Sequence, residues 1–357
     1  MTHVDARLGR RRFRRTRVAA MATILACSVA AHARDDKPGS ITYDPAPGPG
    51  AGRHIVLLAG DEEYRSEEGL PMLAKILSQR HGFRCTVLFS MSASGDGTID
   101  PTNQMSLPGA SALDAADGIV MLLRYRRWPD AAMRHFVNAY RRGVPIIALR
   151  TSTHAFNYPD HDAGEFKSFN RFGKDVLGEG WMSHWGRHKA EATRGVVEPS
   201  ARHHPILRGV AKVFGDTDVY EAYPPADAEI LLRGQVVNGM KPDDPPAEYR
   251  KKRSTDRQEQ GINEPMMPIA WTRRHRNDAG NTNRVFCSTM GAATDLVCED
   301  LRRLVVNAVY WGLELDVPER ADVRFVVPFE PSAYGFDGYR RGLRPGDLAL
   351  GRALPRR

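Results

Sequence analysis

Cysteine is scarce, four in 357 residues, which excludes a small scaffold held together by disulfides. Charged residues make up 26% and hydrophobic residues 41%, so the chain is apolar enough to build a core and is not a disordered polyelectrolyte. Long hydrophobic runs are missing. The apolar stretch from Val18 to Ala31 falls short of the roughly 20 residues that a bilayer-spanning helix needs. A basic body is missing as well. The formal charge is +8, but residues 1–33 hold seven Arg and one Asp, which leaves only +2 for the remainder. The compositional case for a nucleic-acid partner therefore falls away.

What is present at the amino end reads as a secretory signal over residues 1–33. An Arg-rich run precedes the apolar stretch, and Ala31-His32-Ala33 fits a small-x-small cleavage site. Arg10-Arg11-Arg12-Phe13 also fits the twin-arginine pattern, and Ile24-Leu25-Ala26-Cys27 is a second reading in which Cys27 carries a lipid. Each version exports the body to the periplasm or beyond, with no stable membrane span after processing. Cys85, Cys287 and Cys298 remain, an odd count that points to buried thiols, with a Cys287–Cys298 bridge as the alternative.

Residues 34–52 are rich in Pro, Gly and Asp and read as a linker. Short apolar runs then alternate with helical periodicity. Strands are expected at His54–Gly60, Phe83–Phe89, Gly118–Leu123 and Val144–Leu149, and a helix at Asp130–Arg142 with Met133, Phe136, Val137 and Tyr140 on one face. Strands that are apolar throughout imply an α/β fold with a mainly parallel sheet covered on both faces. Later strands are expected at Gly195–Glu198, Glu229–Arg233, Met267–Trp271 and Arg284–Ser288, and a helix at Leu301–Leu313. Lys241–Glu264 reads as a mobile insertion, and residues 318–357 as an extended carboxyl-terminal arm.

In an open parallel sheet, ligands sit beyond the carboxyl ends of the strands. The first strand ends in Gly60-Asp61-Glu62-Glu63-Tyr64, where a phosphate cradle would need glycines. Three carboxylates suit a hydroxyl-rich neutral ligand, a metal or proton transfer instead, or simply an acidic patch at a helix amino end. The third strand ends in Arg124, within a cluster of Arg and aromatic residues. The fourth ends in Arg150-Thr151-Ser152-Thr153-His154, a turn without Cys or flanking Gly, so Ser152 is a poor nucleophile while His154 is a candidate acid/base. In the loop from Trp181 to Glu191, His184, His188 and Glu191 have offsets that could share a metal. Glu221 could reach over the site.

Taken in order, several segments resemble the ThuA-like (trehalose-utilisation) family of the class I glutamine amidotransferase-like superfamily. They are Leu57-Leu58-Ala59-Gly60-Asp61, Arg150 to Phe156, His204-Pro205-Ile206-Leu207-Arg208-Gly209-Val210, Pro268-Ile269-Ala270-Trp271, and Arg284-Val285-Phe286 leading to Met290-Gly291 and Asn307-Ala308-Val309-Tyr310-Trp311. With the leader and the arm, the set is similar to the secreted branch of planctomycete-type bacteria. The resemblance spans residues 53–317 and implies a flavodoxin-like three-layer sandwich linked to carbohydrate use. It does not imply glutaminase activity, since the superfamily's Cys is missing and Gly291-Ala292-Ala293 stands where many relatives have Gly-His.

The leading expectation is thus an exported domain that binds a small carbohydrate-derived ligand and hydrolyses or isomerises a sugar or keto-sugar by acid/base chemistry, without a cofactor. Glu62 or Glu63 would be the carboxylate and His154 the second proton-transfer group. Asp61, Tyr64, Arg124, Arg150, Ser152, His184, His188 and Glu221 would contact the ligand. The alternatives are a non-catalytic binding or scaffold module and a metal-dependent hydrolase built on His184, His188 and Glu191.

Overall fold

The strands expected to be buried on both faces are so. His54–Gly60 (β2), Arg84–Phe89 (β3), Gly118–Leu123 (β4) and Ile146–Leu149 (β5) are almost wholly buried. The computed structural model describes residues 1–3, 39–159 and 164–355. The chain divides into Met1–Asp35 and Asp36–Arg357, and the sheet lies in the second unit. The signal sequence read at residues 1–33 falls almost entirely outside the described residues. Among those described, no helix is long and apolar enough to cross a membrane.

Ser40–Tyr43 (β1), Thr193–Val197 (β6), Val213–Gly215 (β7), Glu229–Val236 (β8), Met267–Arg276 (β11) and Thr282–Ser288 (β12) complete a ten-stranded sheet. Its order is β1-β3-β2-β4-β5-β12-β11-β8-β6-β7. The central five, β3-β2-β4-β5-β12, pair in parallel. Counted among themselves they run 2-1-3-4-5, the flavodoxin-like doubly wound order, whose switch point lies between β2 and β4. Both flanks are antiparallel, so the sheet is mixed and parallel at its centre.

Alternation along the strands sorts side chains into two cores. Ile55, Leu57, Val120, Leu122 and Phe286 face Ser66–His81 (α1) and Glu299–Gly312 (α3). Val56, Leu58, Ile119, Met121 and Val285 face Asp130–Arg141 (α2), through the Met133, Phe136, Val137 and Tyr140 stripe. That makes three layers.

Three expectations are revised. Ser40–Tyr43, read as part of a linker, pairs antiparallel with β3, because Ile41 and Tyr43 bury against the core. The insertion read as mobile carries a two-stranded ribbon, Arg250–Lys252 (β9) with Glu259–Gly261 (β10). Lys251 Nζ donates to the carbonyls of His184 (2.6 Å) and Trp185 (3.0 Å), anchoring it. Cys85, Cys287 and Cys298 are free thiols, so the alternative bridge is not made.

Candidate binding and acid–base site

The acidic loop after β2 and the turn after β5, 90 residues apart, meet at the switch-point end of the sheet. Asp61 joins them: Oδ1 accepts from the backbone N–H of Glu63 (2.8 Å) and Tyr64, and Oδ2 accepts from Thr151 Oγ1. Asp61 is fully buried with its oxygens occupied, and burial pushes its carboxyl up, with Thr151 opposing. Expected as a ligand contact, it is instead a tie within the fold.

Ser152 is likewise sealed. Its Oγ donates to the Met121 carbonyl (2.9 Å) and accepts from Leu123 N–H (3.2 Å), latching the turn to β4. It has no exposed surface through which to meet a ligand. Ser152→Ala should lower stability by about 1–2 kcal/mol, since it leaves a buried N–H unpaired. Urea unfolding reads that loss, and a change in ligand affinity at unchanged stability would contradict the latch. Gly173 is needed behind this turn: a Cβ there would collide with the Thr153 carbonyl oxygen.

Of the two candidate carboxylates, Glu62 is committed to ion pairs. One oxygen meets Arg124 and the other meets buried Arg126 at 2.8 Å. Burial pushes its carboxyl up, the Asp61 charge adds to this, and the two guanidiniums oppose it. Its role here is to orient Arg124.

Glu63 differs. Its Oε1 lies 3.2 Å from His188 Nε2, while His188 Nδ1 lies 2.9 Å from Asp218 Oδ1. A carboxylate beside each ring nitrogen, one hydrogen-bonded and one in ion-pair range, favours the imidazolium form. Hydrogen bonds to Asp218 and then Glu63 accordingly raise its pKa to about 9, against the pull of burial. His184 Nδ1 is 2.8 Å from the other Asp218 oxygen, and the two imidazole rings lie 4.4 Å apart.

Behind them Arg150, wholly buried, donates to Asp218 Oδ1 (2.9 Å) and to the carbonyls of Asp218 and Thr289 (2.7 Å each). Its guanidinium stacks on Tyr220 at 3.8 Å and on Tyr64 at 4.8 Å. Burial alone would raise Asp218, but Arg150 and both imidazoles hold it below the usual carboxylate range. The result is a relay, Glu63–His188–Asp218–Arg150, with His184 alongside. Arg150 and Tyr64 lie under the site, where they support Asp218.

Asp218 is the residue that the sequence reading passed over. Its sequence context, Asp216-Thr217-Asp218-Val219-Tyr220, is polar on one side and did not mark it out. Glu221 points elsewhere. Its oxygens accept from Ser183 Oγ (2.7 Å), Ser254 Oγ (2.6 Å), Ser254 N–H (2.7 Å) and Tyr223 OH (3.0 Å), clipping two loops together. Glu191 is also withdrawn from the expected metal set, accepting from Arg187 N–H and Tyr249 OH at 2.8 Å each. Asp218 takes its place: potential ligand atoms of His184, His188 and Asp218 lie within 4.8 Å of one another.

His154 stands apart from the relay. Its Nδ1 is 3.2 Å from Thr153 Oγ1, and its ring packs on Tyr125 (4.9 Å) and Trp181 (5.6 Å). Burial, then the charges of Arg124 and Arg150, push its pKa well below 6.5, so it is a neutral imidazole.

The carboxyl-terminal arm crosses the same strand ends. Gly335 N–H donates to the Glu63 carbonyl (2.8 Å), and Arg65 donates to the carbonyls of Ala333 (3.2 Å) and Gly335. Gly335 has φ +148°, a conformation that glycine adopts without strain. Tyr334 stacks on Tyr64 at 5.3 Å and lies 5.8 Å from His188. Backbone strain gathers here too. Of seven non-glycine residues with positive φ among those described, Arg65, Tyr125, Arg150, Lys189 and Asp337 flank the site. Such strain persists only where surrounding structure enforces it, commonly at functional sites.

No protein-family model matches the chain, and no curated protein matches it. Among solved structures, a ThuA-like protein from Parabacteroides merdae is similar over 73% of this chain and 90% of its own, with 14% identity and a TM-score of 0.46. A ThuA-like protein from Bacteroides uniformis is similar over 75% and 94%, with 15% identity and a TM-score of 0.44. PurLQS from Thermotoga maritima is similar over 72% and 98%, with 11% identity and a TM-score of 0.37. The fold assignment rests on the strand order itself, and these likenesses carry no statement about activity.

Proposed function

We propose that the chain is a ThuA-like, exported protein that binds a carbohydrate-derived ligand over the strand ends and moves protons on it. The observation that carries this reading is His188, held as an imidazolium between Glu63 and Asp218 at a partly open surface. A positioned acid beside a carboxylate is the equipment for general acid–base chemistry on a glycosidic or carbonyl oxygen. His188 would donate its Nε2 proton to that oxygen, and Glu63 would accept one from an attacking water or an acidic carbon. Asp218 and Arg150 hold the imidazole in place. The acid–base pair is therefore Glu63 with His188, in place of Glu62 or Glu63 with His154.

The test is a screen of purified protein against sugars, keto-sugars and glycosides, repeated with Glu63→Gln. Turnover should fall by about 10²- to 10⁴-fold in the variant, with the melting temperature little changed. Turnover within threefold of wild type would sink the acid–base reading, and stabilisation by a ligand without product would favour a non-catalytic binding module. Export is tested by cell fractionation, with the mature amino terminus read by mass spectrometry.

A second reading, a metal-dependent hydrolase, has one observation in its favour: the closeness of His184, His188 and Asp218. Glu63 would then serve as outer partner to His188, as metal-bound imidazoles commonly have. The charge balance favours the first reading, because Asp218 already faces Arg150 and Glu63 already faces a cationic His188. Elemental analysis of untagged protein separates the two. One equivalent of a transition metal, lost together with activity on chelation, would establish the second.

A further inference from the structure

Most aromatic side chains of the described residues are buried, as the cost of exposing apolar area requires. Trp181 and Phe336 are exceptions, 38% and 53% exposed. Both stand at the strand-end site, on segments that the sequence assigns to a loop and to the arm.

Their neighbours form a closed circuit. Phe336 lies 4.9 Å from the Arg124 guanidinium, which lies 4.5 Å from the Tyr125 ring. Tyr125 leads to His154 (4.9 Å), and His154 to Trp181 (5.6 Å). Trp181 lies 5.8 Å from His184, which lies 4.4 Å from His188. His188 lies 5.8 Å from Tyr334, two positions before Phe336 on the arm. Four separate segments thus contribute to one rim. Glu62 and Glu63 touch it at Arg124 and His188.

We infer that this rim is a subsite for an uncharged pyranose ring, with Trp181 and Phe336 as its stacking walls, so that the carboxyl-terminal arm is part of the binding site. The inference rests on the carbohydrate reading above and adds the residues that would recognise the sugar. Two features select this ligand chemistry. The carboxylates that reach the rim are paired: Glu62 with Arg124 and Arg126, Glu63 with His188, and Asp218 with Arg150. A surface whose charges are paired off in this way offers donors and acceptors rather than an open charge, which suits hydroxyl groups better than a phosphate or an ammonium ion. The two uncovered aromatic rings offer apolar surface to the C–H face that a pyranose presents beside its hydroxyls.

The experiment is calorimetric titration of the full chain with the methyl α- and β-pyranosides of glucose, galactose and xylose. At least one should bind the wild type. Trp181→Ala and Phe336→Ala should each weaken that binding about tenfold or more, while Trp181→Phe, which keeps a ring, should retain most of it. Melting temperatures within about 2 °C of wild type would show that the fold is intact. A pyranoside that binds wild type and both alanine variants equally overturns this inference and leaves the reading above standing. Binding that requires both rings while Glu63→Gln still turns substrate over upholds the subsite and overturns the acid–base reading. Failure of all six glycosides to bind the wild type overturns the subsite.

Discussion

Asp218→Ala is expected to destabilise the protein by about 3–5 kcal/mol and to abolish ligand turnover, the largest effect of any single substitution at the site. The reason lies in what would be left behind. Arg150 has no exposed surface, and among the described residues its one carboxylate partner is Asp218. Removing the carboxylate strands a buried guanidinium against two tyrosine rings and two carbonyls, while His184 and His188 each lose a partner. Asp218→Asn should cost less, because the amide keeps the shape and one acceptor. It should nevertheless lower the His188 pKa, since the hydrogen bond to Asp218 is the first cause of its elevation. Equilibrium urea unfolding measures the cost, and a loss below about 1 kcal/mol for the alanine variant would show that the ion pair contributes little.

The second large effect concerns pH. In the folded protein His188 titrates at about 9 rather than its ordinary 6.5. Below pH 6.5 the imidazole is protonated in both folded and unfolded chains, and its full stabilisation is present. As pH rises through 6.5 the unfolded chain releases its proton while the folded chain keeps it, so stability begins to fall. The contribution is lost as pH passes about 9. With the side chain 26% exposed, the loss should be on the order of 2–3 kcal/mol. The groups facing the ring are Glu63, Asp218, His184 and Tyr334, with Arg150 beyond Asp218.

His188→Gln should remove this slope, so the stability gap between wild type and variant should be wide near pH 6 and close by pH 10. A gap independent of pH would show that His188 is not the titrating group. If His188 is also the proton donor, turnover should fall over the same upper range, with an apparent pKa near 9 in the wild type.

Much of the architecture was legible because strand and helix periodicities are local. The apolar runs of β2, β4 and β5 and the Met133–Phe136–Val137–Tyr140 stripe each state their own burial without reference to the rest of the chain. The acidic loop and the His154 turn could also be located at one end of the sheet, since a parallel α/β alternation places successive strand ends together. The linker reading of Ser40–Tyr43 failed for the converse reason. A short edge strand among Gly and Pro residues is defined by its partner β3, not by its own pattern.

The division of labour among the site residues was not legible. Sequence offers residue types; which oxygen meets which donor depends on contacts across tens of positions. Glu62 and Glu63 are adjacent and chemically alike, yet one is committed to Arg124 and Arg126 and the other faces His188. Asp61 and Ser152 looked available and are sealed as ties within the backbone. Glu191 had the right offset from His188, but the group that reaches the histidines is Asp218, 30 residues onward.

The sequence by itself determined the class of fold, the end of the sheet where polar groups collect and the candidate side chains, because these follow from local periodicity and residue chemistry. Tertiary structure decided which candidates are partners, and that the carboxyl-terminal arm closes the rim. Burial and pairing are properties of several segments at once, and the charge state of His188 or Glu62 exists only once its neighbours have arrived.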